Sequence, residues 1–238
     1  MKKDLPLLRT LVDGLDSSLG GGIPQGSVVL VAGTPGTMKS SLVFHILYHN
    51  ANLGHRGLFV TLEQSADSLK EAMRRIGLRF IDESKLYVLD LAVLRASLHH
   101  AETTKDWIAI LMGVIKEAVA GNGSDILALD SLEVMYALSN MENPRREMFQ
   151  LFTALKELGL TTFLIAETPF GSNTLTEFGE DFLADGIIQL RHVEVGETDV
   201  QLRIRIVKMR MMRHVHNYLA LTHDGERFVA TPVLGRKK

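Results

Sequence analysis

Residues 28–42 read VVLVAGTPGTMKSSL. An apolar run suited to a buried strand passes into a turn of Gly, Thr and Pro, then a Lys-Ser pair, then a segment with helical spacing. Gly33 to Ser40, GTPGTMKS, follows the pattern G-x-x-x-x-G-K-S/T, except that Met38 stands where the second glycine belongs. In such a turn successive backbone N–H groups cradle phosphates, and the helix N-terminus adds positive potential. Lys39 then reaches the β- and γ-phosphates, and the Ser40 hydroxyl ligates Mg²⁺. The expected nucleotide loop comprises Gly33, Thr34, Pro35, Gly36, Thr37, Met38, Lys39, Ser40 and Ser41, with Gly36 and Thr37 at its tip. If the backbone at Met38 must be left-handed, its side chain costs roughly 1–2 kcal/mol, or about a tenfold loss in affinity. In an ordinary conformation the side chain points away at no cost.

Working outward, apolar strands alternate with helical patterns. Strands are expected at 27–32, 57–62, 85–91, 125–130 and 161–166. Helices are expected at 40–53, 66–76, 106–120 (ending at the turn GNGS) and 145–158, the last starting after Asn143-Pro144. Continuous apolar strands separated by helices predict an α/β fold with a mostly parallel sheet covered on both faces. The last quarter differs. Segments 187–192, 200–207, 218–222 and 227–231 follow one another through short loops such as HDGE, which predicts an antiparallel extension. In LRIRIV, Leu202, Ile204 and Ile206 share one face of the strand, with Arg203 and Arg205 on the other. No repeat, linker or low-complexity segment is visible, so residues 1–238 are expected to form a single domain.

Two carboxylates fit a phosphate site. Asp130 ends the strand DILALD, where a loop of this kind needs an acid to hold Mg²⁺. Glu63 follows the second strand in VTLEQS and can orient or deprotonate an attacking water, although the residues alone suit a helix-capping region equally. Glu167, at the end of the fifth strand, is a candidate γ-phosphate sensor. Lys208 and Arg210, in VKMRMMRH, are spaced to project from one face of a strand. They suit a phosphate, either their own chain's or a neighbouring subunit's, or a solvated edge that deters aggregation.

Composition excludes several classes. The 238 residues are 46% hydrophobic and 23% charged, with net charge −2 and no cysteine. Disulfides, thiol catalysis and Cys-zinc sites are ruled out, and a globally basic nucleic-acid binder is not indicated. No apolar run spans a membrane. The start MKKDLPLL is interrupted by Asp4 and Pro6, so a cytoplasmic protein is expected.

The assembled motifs resemble the RecA-like P-loop ATPases, and within them the KaiC-like branch. The resemblance covers nearly the whole chain. It runs through the lead-in GLDSSLGGGIPQGS, LEQS after the second strand, FQLFTALKELGLTTFLIAE, EDFLADGIIQLR and VKMRMMRHVHNYLALTHDG. It implies an ATP- and Mg²⁺-dependent ATPase core, commonly assembled as a homo-oligomer such as a hexameric ring, with nucleotide at the subunit interfaces. Glu63 falls on the family's catalytic glutamate, and Lys208 and Arg210 on the pair that reaches a neighbour's γ-phosphate. Met38, and Gln64 where clock-type members often carry a second glutamate, depart from the pattern and bear on hydrolysis rate more than on binding.

The expectation is a slow oligomeric ATPase, with Glu63, Lys39, Lys208 and Arg210 catalytic and Ser40 and Asp130 on the metal. One alternative is a nucleotide-gated module acting on a protein client the sequence does not identify. Another is a recombinase-like DNA-dependent ATPase, motivated by the basic run 203–213 and disfavoured by the net charge and sparse aromatics. His45 and His49, four apart on a helix, have metal-ligand spacing but no third ligand, and a core or surface role is favoured.

Overall fold

The computed structural model describes residues 5–79, 81–91, 107–138, 141–169, 171 and 174–233. Residues 5–27 form an arm in which β1 (Leu7–Leu8) pairs antiparallel with β2 (Ile23–Pro24) around the single turn of α1 (Leu15–Ser18). Leu8, Val12, Leu15, Leu19 and Ile23 of this arm are buried.

The expected parallel strands are β3 (Val28–Gly33), β4 (Gly57–Thr61), β5 (Leu86–Asp90), β6 (Ile126–Asp130) and β7 (Thr161–Glu167). The C-terminal strands are β8 (Gly186–Val195), β9 (Asp199–Met209), β10 (Leu219–His223) and β11 (Phe228–Pro232). Together they form one sheet in the order β11-β10-β9-β8-β3-β7-β6-β4-β5. Pairing is parallel from β8 to β5 and antiparallel from β8 to β11, as the change in sequence character predicts.

β3 is buried on both faces, so its pleat feeds two cores. Val29 and Val31 join the cluster under α2 (Lys39–Asn52) and α3 (Ala66–Arg75). Val28, Leu30 and Ala32 join the cluster under α4 (Trp107–Asn122), α5 (Leu132–Leu138) and α6 (Pro144–Glu157). The start signal at Asn143-Pro144 works as expected, since the Asn143 side chain accepts the Arg146 N–H at 3.2 Å. α3 is capped likewise by Ser65, which accepts the Ser68 N–H. α4 runs through Gly121 and Asn122, past the expected end, and Gly123 at φ 66° stops it. Asp106, its expected first residue, lies outside the described residues. The short helices α5 and α7 (Glu180–Leu183) were not expected. No helix among the described residues is long and apolar enough to cross a membrane.

Candidate active site

Parallel strands point their C-terminal ends one way, and an open α/β sheet collects ligands at that edge. The register aligns Gly33 with Glu167 and Thr61 with Asp130, so the ends of four strands, β3, β7, β6 and β4, bring the expected site residues to one rim. The loop after β3 turns there. A Cβ on Gly33 would sit 2.5 Å from the Leu190 carbonyl and 2.8 Å from Thr37 Oγ1, so only glycine fits against β8. Thr34 anchors the turn, with its carbonyl accepting the Thr37 N–H (3.3 Å), the Thr37 hydroxyl (2.7 Å) and Lys39 Nζ (3.2 Å).

These bonds correct one expectation. Pro35 and Gly36 are exposed and form the tip, whereas Thr37 is fully buried, drawn inward by its hydroxyl bond to Thr34. Met38, the residue before α2, adopts φ 62° and ψ 28°, the left-handed conformation that glycine takes without strain. Its side chain is half-buried and packs against the core under α2.

A cleft of about 260 Å³ opens between loop and strand ends. Pro35, Met38, Lys39, Ser40, Glu63 and Asp130 are among its lining residues. Asp130 is 2% exposed. Burial pushes its carboxyl up to about 6, against the Ser40 hydroxyl bond and the Lys39 charge, while Glu63 and Glu167 add to the rise. Glu63 projects from the turn after β4, and its Oε1 accepts the Ser131 hydroxyl at 2.5 Å. Glu167 Oε1 lies 3.8 Å from Lys39 Nζ. Gln64 turns away from the cleft, its Oε1 accepting the Ser68 hydroxyl on α3.

Lys208 and Arg210 are elsewhere. Lys208 Nζ donates to the carbonyls of Asp181, Phe182 and Ala184 around the end of α7. Arg210 pairs with Asp185 at 2.9 Å and donates to the Phe182 carbonyl. Arg203 and Arg205 bond Gln201 and Gln189, and Arg205 and Arg191 flank the Tyr218 ring at 4.8 and 4.4 Å.

His45 is buried, with Nε2 3.1 Å from the Leu11 carbonyl. Its ring lies 4.2 Å from that of His49, but no group of three metal-ligating side chains forms among the described residues.

Two site residues escaped the sequence reading, Ser131 and Glu133. Glu133 Oε1 accepts the Glu167 N–H at 2.6 Å, and burial lifts its carboxyl to about 7. The run Asp130-Ser-Leu-Glu133 puts both beside the strand-end acid, the one signal that could have drawn attention to them.

The family profile described as "ATPase: KaiC" matches residues 8–224. A circadian clock oscillator protein KaiC from Picosynechococcus sp. is 30% identical over 232 residues, covering 94% of this chain and 44% of that protein. The chain thus spans under half the length of this clock-protein relative. A UPF0273 protein from Pyrobaculum aerophilum is 31% identical over 220 residues, covering 88% of this chain and 77% of that one. The crystal structure of a KaiC-like protein from Pyrococcus horikoshii superposes with TM-score 0.82 at 26% identity, over 96% of this chain and 100% of that one.

Proposed function

The chain belongs to the KaiC family of RecA-like ATPases, and on that premise we propose that it hydrolyses ATP slowly in a magnesium-dependent reaction, as a homo-oligomer. The observation that carries the proposal is the convergence of Lys39, Ser40, Glu63 and Asp130 on one cleft. Ser40 and Asp130 supply hydroxyl and carboxylate oxygens, the hard donors magnesium prefers. Asp130 is buried within reach of the Ser40 hydroxyl and the Lys39 charge, which places the two oxygen donors together at the cleft. Magnesium, when bound by these two residues, neutralises phosphate charge.

The chain's own groups do the rest. Backbone N–H groups of the loop and Lys39 hold the phosphates. Glu63, its orientation fixed by Ser131, aligns and deprotonates the water that attacks the γ-phosphate. Lys208 and Arg210 act on a neighbouring chain's phosphate, where cations placed in trans speed phosphoryl transfer by orders of magnitude. A cytoplasmic setting fits a chain without cysteine.

Phosphate release measured over a range of protein concentrations tests this reading. Specific turnover is expected to rise with concentration and to vanish in Lys39→Ala. Turnover independent of concentration would remove the shared site. A second reading, a nucleotide-gated module with little turnover, is favoured by the left-handed Met38. It predicts ATP-dependent assembly without phosphate release.

A further inference from the structure

Glu133 has no role in the scheme above, yet it touches both arms of the cleft. It lies in the first turn of α5. Through Oε1 it holds the backbone N–H of Glu167, whose side chain approaches Lys39. It also contacts the Ser131 side chain, which holds Glu63. It also lines a second cavity of about 330 Å³, which shares Pro35 and Glu167 with the nucleotide cleft. Its Oε2 is buried without a hydrogen-bond partner among the described residues. A buried acceptor left unpaired costs about 1–3 kcal/mol, and an apolar residue at this place in α5 would avoid that cost. A purely structural bond to Glu167 therefore explains the residue poorly.

We propose that Glu133 is a positioning residue for phosphoryl transfer, holding the end of β7 and the Ser131–Glu63 arm in one arrangement around the γ-phosphate. The inference rests on the ATPase reading. It predicts that Glu133 affects groups near the γ-phosphate and leaves the rest of the nucleotide site untouched. ADP contacts the loop but not that region, so ADP serves as the internal control.

The test measures affinity for ADP and for a non-hydrolysable ATP analogue, with turnover, in the full chain and in Glu133→Ala and Glu133→Gln. In Glu133→Ala, kcat and analogue affinity should fall about tenfold while ADP affinity stays within about twofold. Glu133→Gln keeps the acceptor oxygen and should recover most of both. An unchanged ratio of analogue to ADP affinity in Glu133→Ala would overturn the inference. So would equal loss of both ligands, which would mark a structural role, or a Glu133→Gln as impaired as Glu133→Ala. If the unmodified chain binds nucleotide but shows no turnover, the hydrolysis reading fails while the affinity ratio still decides the role of Glu133.

Discussion

Met38 carries a left-handed backbone at the point where the loop becomes α2. The strain of roughly 1–2 kcal/mol belongs to the fold. The Met38 carbonyl accepts the Leu42 N–H at 2.9 Å and its side chain packs on the core, so the conformation is locked from within the chain. Strain built into the fold weighs on stability and drops out of binding. Met38→Gly is therefore expected to change ADP affinity less than about threefold, not the tenfold that strain borne by binding would give. Isothermal titration of both proteins decides between these. At this scale the meeting of Lys39, Ser40 and Asp130 at one cleft was legible because position in a local motif sets it. Ser131 was not, because its bond to Glu63 joins positions 68 apart and leaves no local pattern. The inward turn of Thr37 was missed for a related reason, since a hydroxyl can close the turn that a tip residue would leave open.

At the level of elements, strands buried on both faces were legible because nearly every residue in them is apolar. The N-terminal arm was not, because strands of two residues carry no period. The arm is held by tertiary contacts, among them His45 on α2 against the Leu11 carbonyl. Burial pushes the His45 imidazole down to about 4, and the charges of His49, His223 and Arg227 oppose protonation further. The unfolded chain takes up this proton near pH 6.5 and the folded chain does so only near pH 4. The stability contributed by a neutral His45 is thus fully present above pH 6.5 and lost as pH falls from there toward 4. The loss amounts to about 3 kcal/mol at the lower limit. His49, whose imidazole is also lowered by burial, adds in the same direction. Urea unfolding from pH 7 to pH 4.5 should show this decline, and His45→Gln should flatten it. An equally steep decline in the variant would assign the loss to other groups.

Across the whole molecule, the sheet separates the two halves of the proposed chemistry. Lys208 pairs with Ile187, and Ile187 with Leu30, three residues before Gly33. Lys208 therefore lies roughly 10 Å back along the strands from the phosphate loop, and it reaches further back still, to the carbonyls around the end of α7. Arg210 is held by Asp185, whose N–H bonds the Val28 carbonyl at the start of β3. Neither cation can serve the cleft of its own chain without leaving these partners. A head-to-tail contact between copies would bring this end of one sheet to the nucleotide edge of the next, the geometry that closes rings. The consequence is measurable by mixing. Lys39→Ala lacks a working loop but keeps the trans cations, while the double variant Lys208→Ala, Arg210→Ala keeps the loop and lacks the cations. Each alone should be nearly inactive. In an equal mixture, roughly a quarter of head-to-tail interfaces would pair an intact loop with intact cations, so phosphate release should reappear. Because Lys208 also satisfies the α7 carbonyls, thermal melting of the double variant must first establish that it folds. A folded double variant that hydrolyses ATP at the unmodified rate would place the cations outside the reaction and leave them as the clasp that fastens α7 to β9, while a mixture of inactive variants that stays silent would overturn their action in trans.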